Sequence, residues 1–390
     1  MPVYFWLPVL GSIGIGFIYM SAPPVADQFM NIFSLGYGGL SFFLSSIYLT
    51  HSFVKVPAGL LIDRIGVFYS LPACIAVCLI GSLGPLIRPD NLAVAVLFRL
   101  ILGMSTGAMF LLFVKIVQIL APPRHVARAQ GVQGAAFCLG HVLPYLVLTR
   151  AGAYGWLAAY LSGAVLCAAL CACMFRLPRA PLKASSSTAN TAAIRQAVKT
   201  IFASRHIWFL GCSNGFSFGS LITIGNWLPA VLADAGMGSA AEGRAVATSA
   251  ILLIGAAGRI FSGDVSRLMP RQLVIRRATL CIGALYALLG LADSPVFAIL
   301  VAAVLAVLCG STYAAVFTLT IDISPPSYVA TAVGFMTMLA TGMTVMLILL
   351  LGNAREFSGG FGLGLGLAAL GATALYAWGH CIRWPGGEKA

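Results

Sequence analysis

The feature that most limits this chain is a train of apolar runs, each about 20 residues long, joined mostly by short polar connections. The chain has 390 residues, of which 60% are hydrophobic and 8% charged. Its mean hydropathy is +0.98. A water-soluble chain of that length has no way to cover so much apolar side chain with polar surface. Inside a bilayer the constraint reverses, because each backbone N–H and C=O must then be satisfied within the protein, which leaves helices or a closed barrel. The runs do not alternate in polarity, so they read as helices and not as barrel strands. The expected fold class is an all-α membrane protein.

Twelve spans follow, at about 3–22, 37–62, 68–87, 92–119, 130–149, 154–175, 207–231, 244–263, 273–291, 296–319, 328–352 and 361–382. The longest connection, between spans six and seven, carries Ser185-Ser186-Ser187, two prolines and much of the basic clustering. It divides the chain into an N-terminal bundle at 1–176, a linker at 177–206 and a C-terminal bundle at 207–390. Within the linker, 192–202 is expected to form a short surface helix. No Lys or Arg precedes the first run, so it reads as a span and not a cleaved leader.

The net charge of +13 comes largely from the connections. With the N-terminus in the cytoplasm, basic residues such as Arg64, Arg124, Arg128, Arg176, Lys183, Lys199, Arg271, Arg276, Arg277 and Arg383 fall inside. Arg88, Arg150, Arg244 and Arg355 fall outside. Cytoplasmic loops carry the excess of Lys and Arg, so both termini are expected inside, with a bacterial inner membrane as the expected location. No basic stretch is long enough to bind nucleic acid. The ten cysteines lie mostly in apolar runs and form no CxxC, which reads as packing and not metal or disulfide chemistry. There is no nucleotide loop, HExxH or GxSxG, so neither an enzyme nor a cofactor is expected.

The halves repeat. Pro122-Pro123-Arg124-His125-Val126-Ala127-Arg128-Ala129-Gln130-Gly131 and Pro325-Pro326-Ser327-Tyr328-Val329-Ala330-Thr331-Ala332-Val333-Gly334 share PPxxVAxAxG at the same ordinal place in each half. Parallel repeats of six helices build one large class of carriers, with the solute bound near the midplane. The loop after span two reads Gly59-Leu60-Leu61-Ile62-Asp63-Arg64-Ile65-Gly66. Span four holds Arg99-Leu100-Ile101-Leu102-Gly103, and Gly155-Trp156 opens span six. With these motifs the chain resembles the major facilitator superfamily over nearly its whole length. The resemblance implies alternating access by two six-helix halves. It also implies a gate around Gly59, Asp63 and Arg64, with Gly263 and Arg267 as second-half counterparts, although Arg267 stands where the first half has Asp63. On physical grounds Gly59 would let a neighbouring helix approach, and Asp63 would pair with an Arg or a helix N-terminus. The competing reading of this loop is a tight turn with solvated charges.

Charges within a span are costly and mark functional sites by default. Lys55 stands four residues before Gly59, and Arg259 four before Gly263, so the two cations occupy equivalent places in spans two and eight. Each lies about 12 Å from the cytoplasmic helix end. All ten acids sit at or near helix ends or in loops. A positive interior without a buried acid favours an anionic solute. Such a pair also resembles the anion-handling branches of the superfamily, namely the monocarboxylate, oxalate and nitrate/nitrite carriers. Snorkelling, or pairing at helix ends, is the competing reading for both cations. Further candidate contacts are Arg99, His51, Tyr19, Asn214, Tyr313 and Thr341. His51 shares a helix face with Lys55, and a His at this place, or His141, could carry a proton in the cycle. Arg99 is equally open to a structural role. The expected function is secondary active or facilitative transport of a small organic or inorganic anion by a monomer, with a co-transported or exchanged ion. The alternative is an efflux antiporter for drugs or metabolites.

Overall fold

The structure is a computed structural model that describes residues 6–120, 126–174, 198–238, 241–324 and 329–384. The side chains of 63, 126–131, 260, 266–268 and 330 lie outside that description. All regular structure among the described residues is helical. The first half holds α1 (Trp6–Tyr19), α2 (Ala26–Phe33), α3 (Tyr37–Ile65), α4 (Val67–Leu83), α5 (Leu92–Leu120), α6 (Val126–Val147) and α7 (Gly155–Met174). The second half holds α8 (Arg205–Asp234), α9 (Ala241–Leu268), α10 (Arg271–Gly290), α11 (Pro295–Ser311), α12 (Tyr313–Asp322), α13 (Val329–Ser358) and α14 (Gly362–His380).

The expected spans all appear, counting α11 and α12 as the two parts of the tenth. Nine segments among the described residues are long and apolar enough to cross a membrane, and one of them, 132–174, holds both α6 and α7. The other two expected spans are the helices α3 and α9. They are the helices that carry Lys55 and Arg259.

The chain separates into two compact units, Met1–Ala189 and Asn190–Ala390. Helix pairing is the same in both. In the first, α1 packs on α6, α3 on α5 and α4 on α7; in the second, α8 packs on α13, α9 on α11 and α10 on α14. Spans one and five, two and four, and three and six of each half are therefore partners. The doubled-proline repeat itself lies largely outside the described residues, as does most of the linker, of which 198–203 are helical.

Helices in lipid associate through close packing of small residues. The α1/α6 crossing shows why. A Cβ on Gly16 would lie 2.2 Å from the Phe137 carbonyl oxygen, and one on Gly140 would lie 2.2 Å from the Ile13 carbonyl oxygen. At Gly66 the requirement is conformational. Its φ of 81° turns the chain from α3 directly into α4, while its N–H still bonds the Ile62 carbonyl at 2.9 Å. Most residues avoid that φ, which accounts for the glycine closing the Asp63-Arg64-Ile65-Gly66 run.

Two features departed from the sequence reading. The helix α2 was not expected; it is tied down by Gln28, whose Nε2 donates to the Gly152 carbonyl (2.8 Å) and whose Oε1 accepts from the Trp156 N–H (2.9 Å). The tenth span is broken at Thr312 into α11 and α12. The hydroxyls of Ser311 and Thr312 bond the carbonyls of Leu308 and Cys309, at 2.8 and 3.0 Å. Such back-bonding bends helices, and here it sets Tyr313 at the head of a new one.

Candidate functional site

In the first unit, spans one, two, four and five converge on a buried polar and aromatic cluster. The Tyr48 hydroxyl donates to the Tyr19 carbonyl oxygen at 2.9 Å. Around the Tyr19 ring stand Tyr48 at 4.6 Å, His51 at 4.7 Å and Phe137 at 5.7 Å, all edge-on, with His141 stacked at 5.9 Å. His51 Nδ1 lies 3.3 Å from the Thr106 hydroxyl, which itself donates to the Gly103 carbonyl. Lys55, one turn along α3 from His51, is 8% exposed. Tyr19 thus meets both His51 on α3 and His141 on α6. Because α3 continues to Ile65, Lys55 lies about 15 Å from its end, deeper than the shorter expected span implied.

Arg99 is only 3% exposed. Its Nε donates to the Phe43 carbonyl at 3.0 Å, and an Nη donates to the Leu44 carbonyl at 3.4 Å. Its guanidinium lies 4.4 Å over the Phe43 ring. These contacts direct its fork onto the backbone of α3, clamping spans two and four together.

In the second unit, α8, α9 and α12 build a cage around Arg259. The guanidinium carbon lies 5.1 Å from the Phe218 ring centroid and 4.8 Å from that of Tyr313. Tyr313 is in turn backed by Phe317 at 4.6 Å. The Arg259 Nε is buried and has no hydrogen-bond partner among the described residues. Asn214 and Thr341 are both buried, but their described hydrogen bonds run elsewhere. Asn214 Nδ2 donates to Met336 Sδ at 3.3 Å, and the Thr341 hydroxyl to the Thr337 carbonyl at 2.9 Å.

Two side chains escaped the sequence reading. Phe218 has no local signal that sets it apart from the 23 phenylalanines. Gln133, on α6, is 2% exposed, and its Nε2 has no partner among the described residues. Its spacing of four to Phe137 and eight to His141 places it on the cluster's helix face, and that pattern was available in the sequence.

The gate candidates are less tightly built. Among the described residues, a Cβ on Gly59 would meet only Leu111 Cδ1, at 3.9 Å, and one on Gly263 would meet nothing within 4 Å. The close helix approach expected at Gly59 is therefore absent; the tight glycine contacts of this unit lie nearer the middle of the helices. Arg64 is exposed. The side chains of Asp63 and Arg267 lie outside the described residues.

Two units of six spans with the same helix partners, one with the buried Lys55 and the other with the half-buried Arg259 on its second span, define a membrane carrier built by duplication. The chain belongs to the major facilitator superfamily, whose family model matches residues 9–349. Among solved structures, the nucleoside transporter NupG is similar with a TM-score of 0.78 at 13% identity, over 97% of this chain and 99% of that one. The xylose transporter XylE from E. coli, in a partially occluded inward-open conformation, matches with a TM-score of 0.76 at 14% identity, covering 99% and 98%. A D-xylose-proton symporter matches with a TM-score of 0.72 at 17% identity, covering 94% and 96%. No curated protein sequence is significantly similar. The protein is a multi-pass membrane transporter of a small solute, working by alternating access, and not an enzyme.

Proposed function

We propose that the solute is a small organic or inorganic anion and that Lys55 and Arg259 supply its positive contacts. The observation that carries this reading is the Arg259 cage. A buried charged donor left without an acceptor costs free energy, and an anion entering along the guanidinium edge supplies the acceptor. A sugar or nucleoside, the solutes named for the similar structures, would leave the charge uncompensated. The placement of acids supports the same reading. Every described Asp or Glu lies in a loop or near a helix end, as with Asp234 at the end of α8 and Asp322 at the end of α12.

In this proposal Tyr19, His51, Asn214, Tyr313 and Thr341 provide polar and aromatic contacts, and Arg99 holds α3 in place. Gly59, Asp63, Arg64, Gly263 and Arg267 form the gate at the ends of α3 and α9. The carrier works as a monomer in a bacterial inner membrane with both termini cytoplasmic, and it couples the anion to a co-transported or exchanged ion.

The test is uptake by proteoliposomes from a panel of small carboxylates, inorganic anions, sugars and nucleosides. Lys55→Gln and Arg259→Gln should each lower anion uptake at least about tenfold, the equivalent of one lost charge-assisted hydrogen bond, while inserting and melting like the parent. Normal transport by both variants ends the anion reading and leaves the carrier intact. Resistance of expressing cells to cationic drugs, with no anion uptake, would favour the efflux alternative.

A further inference from the structure

At the end of the second unit where α8 begins and α14 finishes, basic and aromatic side chains form a contiguous patch on helices other than that of Arg259. Arg276, five residues into α10, is 5% exposed and donates through Nη1 to His380 Nδ1 at 3.3 Å. Its Cδ runs over Gly379, where an added Cβ would lie 3.2 Å from it. Tyr376 packs edge-on against His380 at 4.7 Å. Phe209 contacts Trp378 and Trp384, with centroids 5.9 and 6.0 Å away. His206 lies against Trp384 at 5.1 Å and bonds the Arg383 carbonyl at 2.9 Å. Arg205, Arg383 and His380 are exposed.

A guanidinium only donates, so Nδ1 of His380 must accept, and the ring proton then sits on Nε2. With the ring exposed, that N–H is offered outward. A second donor, Trp384 Nε1, is buried and has no hydrogen-bond partner among the described residues. Arg276 lies about 7.5 Å along α10 from its first residue, a depth at which side chains meet headgroups. Trp and Tyr concentrate at that level in membranes. The described acids of this end, Asp264 and Asp322, belong to α9 and α12, and Asp322 pairs with Arg271.

We infer that this patch binds the headgroup phosphate of an anionic phospholipid of the phosphatidylglycerol class, with His380 and Trp384 as donors and Arg276, Arg205 and Arg383 as the charge. Basic pockets between membrane helices hold such headgroups. Here the aromatic rings and the membrane-level depth favour a lipid over a free anion.

The test titrates phosphatidylglycerol or phosphatidylcholine into the detergent-solubilised full-length protein and follows thermal unfolding. Phosphatidylglycerol should raise the melting temperature where phosphatidylcholine does not. His380→Leu and Arg383→Gln should each need about fivefold more lipid for half the effect, as expected for one lost charge contact. His380→Gln should titrate like the parent, because its amide oxygen accepts from Arg276 while its NH2 donates outward. Equal stabilisation by phosphatidylcholine, reproduction of the effect by inorganic phosphate alone, or a parental midpoint in both His380→Leu and Arg383→Gln would overturn the inference. If His380→Leu fails to fold, Arg383→Gln and the lipid contrast still decide it.

Discussion

A cation held against aromatic rings behaves differently from one at the end of a free side chain. The guanidinium carbon of Arg259 sits against the Phe218 and Tyr313 rings, and its Nε has no hydrogen-bond partner among the described residues. A planar guanidinium fork suits the paired oxygens of a carboxylate or similar planar anion, and a lysine cannot copy it. Arg259→Lys, which keeps the charge, should therefore lose about ten- to a hundredfold in solute affinity, the equivalent of a charged hydrogen bond. Phe218→Ala should weaken binding less, because it removes a stacking face and no donor. Isothermal titration with the best anion checks both, and a parental affinity in Arg259→Lys would show that charge alone is recognised. Arg99 illustrates the opposite use of the same group. Its hydrogen bonds run to Phe43 and Leu44 carbonyls, and nothing in the residues flanking Arg99 separates that role from Arg259's.

At the scale of elements, the unit is built from crossings where the backbones nearly touch. In lipid no hydrophobic force draws helices together, so contact depends on packing quality. The α1/α6 crossing leaves no room at Gly16 or Gly140. Gly16→Val should lower stability by about 1–3 kcal/mol or more, the usual cost of overpacking. Gly366→Ala, on α14 where an added Cβ meets nothing within 4 Å among the described residues, is the control. It should be neutral or stabilising, since glycine is the poorer helix former. Melting curves in detergent decide this, and equal behaviour of the two variants would remove the crossing argument. The break between α11 and α12 belongs at this scale too. An apolar run reads as one span in the sequence, yet two hydroxyls and the packing around them divide it and place Tyr313 beside Arg259.

For the whole molecule, the same partner order in both units means that each half satisfies its own helix contacts. Residues 1–189 and 190–390 produced as two separate chains should each insert and resist proteolysis. Solute uptake should return only when both are present. Rapid degradation of either half made alone would show that its fold depends on the other. The twelve spans, the duplication and the matched positions of Lys55 and Arg259 were all legible in the sequence. Hydropathy and repeat spacing are sums over neighbouring residues, and the bilayer enforces them one helix at a time. Membership of the superfamily followed from the same local motifs. The cage around Arg259, the carbonyls that occupy Arg99, the meeting of Tyr19 with His141 and the Gly16/Gly140 crossing were decided by the tertiary structure. Each joins helices dozens of residues apart, and the rotation of a helix about its own axis is set by its packing partners, which no local stretch of sequence specifies.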